Sequence, residues 1–151
     1  MQSQIGCVED FRRLEAYRLA KALARDIYQV TARLPLYLRW RLGGQLDDAA
    51  ESVGANIAEG CGRKNAEHGN VELIRYLHMS FGSACEVEHR IGGLADRGLI
   101  SPAECTDLLT KVEAVKKKVA SLIVALKRGD RGRTGQYTDK PTSSEADKQR
   151  S

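Results

Sequence analysis

The chain has 151 residues, of which 42% are hydrophobic, 5% aromatic and 29% charged, and its formal net charge is +4. This length suits one domain with its own core, and the low aromatic content favours packed helices over a sheet. The apolar runs are too short to cross a membrane and the first residues lack a secretory signal pattern, so we expect a cytoplasmic protein.

Helix one is the first predicted element and follows an N-terminal extension, residues 1–10. Between residues 11 and 34 apolar side chains recur at alternating spacings of four and three, as in the seam of a helical bundle. This seam comprises Ala16, Ala20, Leu23, Ile27, Val30 and Leu34. Pro35 should end the helix, because proline has no N–H group to donate to the preceding turn.

Helix two is predicted from Arg39 to Glu59, where the apolar residues again occupy one face of a helix. This stripe comprises Leu46, Ala49, Ala50, Val53 and Ile57. Gly60 and Gly62 follow directly. Their permissive backbone should end the helix and turn the chain into a polar loop.

Helices three and four complete the predicted fold. Helix three should start between residues 65 and 71 and end at Arg97 and Gly98, since glycine commonly follows the last turn of a helix. Its apolar residues occupy more than one face. Ser101 and Glu104 form a capping box that opens helix four. The seam of helix four comprises Leu108, Val112, Val115, Val119, Leu122 and Leu126.

The similar lengths and short connections of these helices favour an antiparallel, up-down-up-down four-helix bundle over residues 11–128. Residues 129–151 are polar and show no apolar periodicity, so they are predicted to form a disordered tail. The apolar excess of helix three is usually hidden by association with further copies of the chain. We therefore expect a homo-oligomer.

Residues 45–83 carry a pattern of fixed positions. The segment reads Gln-Leu-Asp-Asp-Ala-Ala-Glu-Ser-Val-Gly-Ala-Asn-Ile-Ala-Glu-Gly-Cys-Gly-Arg, and a Gly-Ser pair follows on the next helix. It resembles the signature of the four helix bundle protein family, which includes the 23S rRNA intervening-sequence proteins. The matching polar and glycine positions include Gln45, Asn56, Glu59, Gly60, Gly62, Arg63, Gly82 and Ser83. This resemblance implies a four-helix fold and a closed ring, usually a pentamer.

The polar side chains of this motif are interpreted as structural. Asn56 and Glu59 lie in the last predicted turn of helix two, where they can tie it to a neighbouring helix. Glu59 stands at the negative end of the helix dipole and needs a cationic or N–H partner, for which Arg63 is the nearest candidate. Gly82 and Ser83 should mark a point of close packing within helix three. A ligand or RNA surface is the alternative for these groups.

Basic residues concentrate in helix one, which makes it the best candidate for binding a polyanion. Between Phe11 and Arg41 there are eight basic and two acidic residues. The candidates for nucleic-acid binding are Arg12, Arg13, Arg18, Lys21 and Arg25 on helix one, and Lys116, Lys117 and Lys118 on helix four.

The central candidates, Arg18, Lys21 and Arg25, recur at helical spacing and are called the basic stripe. Repeated around a ring, this stripe would suit phosphate backbones. No aromatic side chains are expected beside it, so readout of bases should be weak. A solvated helix face is the alternative.

Two acidic residues depart from the family pattern. Where relatives commonly carry two arginines after Gln-Leu, this chain has Asp47 and Asp48. This exchange reverses the charge on helix two, and it supports a second hypothesis. In that hypothesis the protein is a scaffold or regulatory adaptor that binds other proteins through its acidic helix two and makes no nucleic-acid contact.

No pattern of residues indicates catalysis, a cofactor or a metal. His78 and His89 lie about 16 Å apart along helix three, which is too far for one metal ion. Glu86 and His89 lack the second pair that a carboxylate-bridged site needs. The four cysteines form no close pair and are expected to be isolated thiols. We therefore expect a protein that is not an enzyme and has no small-molecule substrate.

The sequence thus predicts a non-catalytic oligomer with an RNA- or nucleoprotein-associated role. The resemblance implies two settings for that role. The protein could be encoded within an rRNA intervening sequence, or it could be related to the accessory variability proteins that assist retroelement reverse transcriptases. Its expected partners are further copies of itself, structured RNA or a reverse transcriptase-type nucleoprotein, and no membrane.

Overall fold

Four long helices form the part of the protein that the structure, a computed structural model, describes: residues 10–64 and 67–134, with side chains as far as Asp130. They are α1 Glu15–Thr31, α2 Gly44–Arg63, α3 Val71–Asp96 and α4 Pro102–Thr134, and these ranges contain no strand. Each helix packs against the next along the chain, and α1 also packs against α4. The predicted all-α fold of four helices is confirmed.

The first helix is shorter than predicted at both ends. Phe11–Arg13 forms a 3-10 helix, and Leu14 then adopts an extended conformation with ψ 129°, so α1 begins only at Glu15. The helix ends at Thr31, three residues before the predicted end. The apolar seam predicted for helix one is confirmed, because all six of its side chains are buried.

The connection from α1 to α2 is helical rather than a loop. Pro35 is extended, with φ −51° and ψ 143°, and it precedes one helical turn, Leu36–Leu38. A π-helical segment, Arg39–Gly43, then runs directly into α2. Pro35 was predicted to end helix one, but α1 ends at Thr31, before Pro35 is reached.

The predicted end of helix two at Gly60 and Gly62 was wrong. Both glycines are helical, and α2 continues to Arg63. A Cβ atom at Gly60 would lie 2.7 Å from the Cβ of Tyr76 and 3.1 Å from a methyl group of Leu73. Gly60 therefore lets the backbone of α2 approach α3, and its role is close packing rather than helix termination.

The junction between α3 and α4 follows the predicted signals. Gly98 has φ +65°, and the N–H of Leu99 donates to the carbonyl oxygen of Leu94 at 3.0 Å, which closes α3. The backbone N–H of Ser101 donates to the Glu104 carboxylate at 3.0 Å, and the N–H of Glu104 donates to the Ser101 hydroxyl at 3.1 Å. The predicted capping box is confirmed.

The last helix differs from its prediction in two places. Ile123 is buried while Leu122 is only partly buried, so Ile123 takes the seam position predicted for Leu122. The helix also continues past Gly129 to Thr134, so the predicted tail boundary at residue 129 is too early. The rest of that tail, the first nine residues and residues 65–66 lie outside the described residues.

The packing role of Gly60 can be tested against Gly62, which lies in the same last turn of α2. Apart from its chain neighbours and the backbone of its own helix, a Cβ at Gly62 would meet no atom of the described residues within 4 Å. We expect Gly60→Ala to lower the free energy of unfolding by about 1–3 kcal/mol, because the added methyl group forces α2 and α3 apart. Gly62→Ala should raise it by about 0.5–1 kcal/mol, because alanine restricts the unfolded chain. Urea unfolding measures both, and equal effects of the two substitutions would refute the close approach.

Candidate functional site

The basic stripe lies in a groove between α1 and α2. Arg18, Lys21 and Arg25 line one side of this groove, whose volume is about 520 Å³. The two residues of α2 that line it are acidic, Asp47 and Glu51. The structure therefore brings the three basic residues of the stripe together on one face of the groove, and it places two carboxylates on the opposite face.

Aromatic side chains line the same groove, contrary to the expectation that none accompany the basic stripe. Tyr17 and Tyr28 belong to its lining, and 56% of Tyr28 is exposed to solvent. Tyr17 also packs edge-to-face on Phe11, with ring centroids 4.9 Å apart, and this contact holds the 3-10 helix against α1.

The cations of the stripe have few partners among the residues that the structure describes. The Nε of Arg18 donates to the backbone oxygen of Arg12 at 3.1 Å. Lys21 and Arg25 are exposed, and neither forms an ion pair with another residue in the described ranges. Arg12 and Arg13 approach Asp10 only at 3.9 and 4.0 Å and are also exposed. The outer face of α1 thus presents positive charge to solvent.

Among the described residues, two of the predicted lysines of α4, unlike the cations of the stripe, form ion pairs within the chain. The Nζ of Lys116 lies 2.8 Å from a carboxylate oxygen of Glu88 and 3.4 Å from one of Glu113. Lys118 pairs with Glu15 on α1 at 2.9 Å. Two of the three predicted lysines therefore form ion pairs within the chain, whereas Lys117 forms none in the described residues; Lys117 and Lys118 are both exposed. Because consecutive residues point about 100° apart around a helix, the three do not share one face.

Asp47 is held in the wall of the groove. Its Oδ1 accepts a hydrogen bond of 2.8 Å from the hydroxyl of Thr31, the last residue of α1. Burial raises the pKa of Asp47, and the hydrogen bond from Thr31 and the charge of Arg39 offset this effect only in part. The neighbouring Asp48 is exposed and does not belong to the groove lining.

Glu59 anchors the polar network at the end of α2. One of its carboxylate oxygens accepts hydrogen bonds from Arg63 at 2.8 Å and from the Tyr76 hydroxyl at 3.1 Å. The Arg63 guanidinium also lies over the Tyr76 ring, 5.4 Å from its centroid. Burial and the hydrogen bond to Glu59 raise the pKa of Tyr76. The prediction that Arg63 partners Glu59 is confirmed, and the network joins α2 to α3.

Two further motif residues also connect α2 to α3. Asn56 Nδ2 donates to the Ser83 hydroxyl at 3.5 Å, and Gln45 Oε1 accepts a 2.7 Å hydrogen bond from Arg90. These contacts support the structural interpretation of the motif. Gly82 is different, because a Cβ there would meet no atom within 4 Å. The close packing predicted at Gly82 therefore does not occur among the described residues.

The sequence analysis missed an exposed aromatic cluster in the helical connection before α2. Leu36, Tyr37 and Trp40 are 70%, 68% and 78% exposed. A signal for it does exist in the sequence. No acidic residue lies between Asp26 and Asp47, and this interval contains Trp40, the only tryptophan of the chain.

Residues 10–64 and 67–134 contain neither a metal-ligand cluster nor a membrane-spanning helix. No three or more His, Cys, Asp or Glu side chains in these ranges are grouped so that they could hold a metal ion. Cys61, Cys85 and Cys105 are free thiols. None of the described helices is long and apolar enough to cross a membrane.

The four packed helices and the polar motif that joins α2 to α3 define a small all-helical protein of the four-helix class. A family model described as 23S rRNA-intervening sequence protein matches residues 12–121, from the 3-10 helix into α4. The chain belongs to this family. No curated protein that was compared with the chain matches it.

The raised pKa of Asp47 predicts a pH-dependent effect of Asp47→Asn. Below the ordinary aspartate pKa of 3.8 the carboxyl group is protonated and resembles the amide. The folded wild-type protein favours the protonated form of Asp47. This preference stabilises it at low pH, and the stabilisation is lost as the pH rises through the pKa that Asp47 has in the folded state. In urea unfolding we therefore expect the variant to gain stability relative to the wild-type chain between about pH 4 and pH 7.

Asp48→Asn is the matched control, because it removes the same charge from an exposed neighbour. It should show no comparable change between the two pH values. A loss of stability in Asp47→Asn that grows toward neutral pH would contradict the account, since it would mean that the ionised carboxylate is the favoured form.

Proposed function

We propose that this protein is a non-catalytic accessory protein that binds nucleic acid through the basic stripe of α1. The observation that carries this proposal is the difference between the two sets of cations. Lys116 and Lys118 on α4 are paired with carboxylates of the chain, whereas Lys21 and Arg25 are exposed without such partners in the described ranges. Unpaired surface cations are the groups that release counterions from a nucleic-acid backbone.

The contacts that this surface can make are mainly to phosphates. The guanidinium groups of Arg18 and Arg25 can donate in pairs to phosphate oxygens, while the Lys21 ammonium acts as a point charge. Asp47 and Glu51 oppose this attraction from the other wall of the groove. A nucleic acid would therefore contact the α1 side of the groove and avoid the α2 side.

An antiparallel bundle that assembles into a ring, with a pentamer as the expected state, is part of this proposal. Three contacts between α2 and α3 support the antiparallel arrangement, because residues later in α2 contact residues earlier in α3. They are Gln45 with Arg90, Val53 with Ser80, and Glu59 with Tyr76. Exposed apolar side chains such as Val71 and Met79 on α3, at 59% and 45%, support association between copies.

The second candidate function is a scaffold that binds only proteins. Asp48 and Glu51 are exposed on α2 and offer an acidic surface to a basic partner. In either candidate the cellular setting would be an rRNA intervening sequence or a reverse transcriptase-type nucleoprotein, as the family resemblance implies. Reversing charges on α1 and on α2 separately distinguishes the two functions.

The nucleic-acid role predicts binding of a structured RNA that weakens steeply with salt. Three phosphate contacts per protomer correspond to a loss of about 40-fold in affinity between about 50 and 200 mM salt, and several protomers on one strand increase it. Lys21→Glu combined with Arg25→Glu should abolish most of this binding and flatten the salt dependence. Fluorescence anisotropy with labelled RNA measures both quantities.

Lys117→Glu combined with Lys127→Glu is the matched control, since both lysines are exposed on α4 and the change in charge is the same. It should reduce affinity far less than the α1 substitutions. Equal losses from the two variants would show a diffuse charge effect and would refute the stripe as the site. The scaffold function would be favoured by two results together: the wild-type protein does not bind RNA, and reversing the charges of Asp48 and Glu51 abolishes binding of a protein partner.

The ring predicts a mass several times that of one chain. Multi-angle light scattering at micromolar protein should give a multiple of 16.6 kDa, and five copies are expected. Burial of exposed apolar side chains between copies supplies the driving force. A monodisperse peak at the mass of a single chain would exclude the oligomer.

A further inference from the structure

The most exposed large apolar side chains of the described residues lie together in one short segment. They are Leu36, Tyr37 and Trp40, with 68% or more of each exposed. Together with Arg41 they are called the aromatic corner. Two neighbouring aromatic rings left in water on a small protein usually mark a binding surface rather than a packing defect.

The backbone of this segment explains why these side chains face outward. Leu36 and Trp40 are four residues apart, as are Tyr37 and Arg41, so each pair lies on one side of the helical turn. Gly43 at the end of the π-helical segment is buried, and a Cβ there would lie 3.3 Å from Thr31. The inner side of the segment is thus fixed against α1, and π-helical segments of this kind are common at functional sites.

The chain segment that carries the aromatic corner is basic, and Arg33 and Arg39 in it interact with carboxylates of other helices. Arg33, Arg39 and Arg41 lie in this interval, and no acidic residue occurs between Asp26 and Asp47. Arg33 is paired with Glu104 of α4. Arg41 is exposed and forms no ion pair within the described residues.

We infer that the aromatic corner binds unpaired nucleotides of a single-stranded nucleic acid, an inference that rests on the proposed nucleic-acid function and extends it. Bases stack on Trp40 and Tyr37, and Arg41 holds the adjoining phosphate. Aromatic rings beside arginines are the combination that proteins use for single strands, because every base has a flat face and every linkage a negative charge. The basic stripe holds the phosphate backbone, and the corner selects segments whose bases are free.

Charge complementarity favours this occupant over a second copy of the same surface. A two-fold contact between two aromatic corners would bring the arginines of one copy against those of the other, which is repulsive. An intact duplex fits the rings poorly, because its bases are stacked inside the helix. Tyr28, exposed near the end of α1, adds an aromatic ring between the basic stripe and the corner along the chain.

Trp40 makes this inference directly measurable, because the only tryptophan of the chain reports from the corner itself. The probes are a uridine oligonucleotide of about ten residues and an RNA duplex of the same length, each titrated at about 50 mM salt. We expect saturable quenching of the Trp40 emission by the oligouridine and little change with the duplex.

Substitutions at Trp40 then test whether stacking contributes to affinity, with anisotropy of labelled RNA as the readout. Trp40→Ala should weaken oligouridine binding by about 5- to 150-fold, the range for loss of one stacked base, and should leave duplex binding unchanged. Trp40→Phe should retain much of the affinity. Val124→Ala, at another exposed apolar side chain, is the control and should bind both probes as the wild-type chain does.

The possible outcomes separate this inference from the proposed function. Binding of both probes with equal affinity and no response of Trp40 would overturn the inference and leave the basic stripe standing. Binding of neither probe would overturn both. A Trp40 emission that shifts to the blue with protein concentration alone would show that a second copy covers the corner. A response to anionic lipid vesicles but not to RNA would assign the corner to a membrane surface, and each of these last two results also overturns the inference.

Discussion

The close approach of α2 to α3 at Gly60 is the constraint on which the rest of the structure depends. The missing side chain lets Leu73 and Tyr76 pack directly on the backbone of α2. That distance in turn allows the Tyr76 hydroxyl to reach Glu59, which also pairs with Arg63 of its own helix. A helix displaced outward by one methyl group would weaken the hydrogen bond from the Tyr76 hydroxyl to Glu59, so the link between the two helices depends on the small size of Gly60.

The position of α2 also determines the character of the groove beside α1. Because Asp47 is fixed by Thr31, its carboxylate stays in the groove wall rather than turning into solvent. The same groove therefore carries three cations from α1 and two carboxylates from α2. Meanwhile α4 uses Lys116 and Lys118 to hold neighbouring helices through Glu88 and Glu15. Among the described residues, Lys21 and Arg25 thus leave unpaired positive charge on the outer face of α1.

The buried faces of α1 and α2 could be predicted from the sequence because burial follows the helical repeat, whereas helix ends and side-chain pairing depend on neighbouring helices. Gly60 carries a helix-ending signal locally, but packing against Tyr76 outweighs it. The buried residue is Ile123 rather than the predicted Leu122, because a straight helix has 3.6 residues per turn and its buried face departs from a repeat of 3.5 residues over several turns. The pairing of Lys116 with Glu88 depends on how α3 and α4 are rotated, which periodicity in one helix does not specify.

Hydroxyl-radical footprinting tests most directly whether the outer face of α1 holds nucleic acid, because it reads the exposure of single side chains in the wild-type protein. Tyr28 lies in the groove of the basic stripe, while Met79 is similarly exposed on α3 and serves as the internal reference. On addition of a structured RNA at low salt, the account predicts that oxidation of Tyr28 falls and that of Met79 does not. Unchanged oxidation of Tyr28 under conditions where RNA is bound would contradict it.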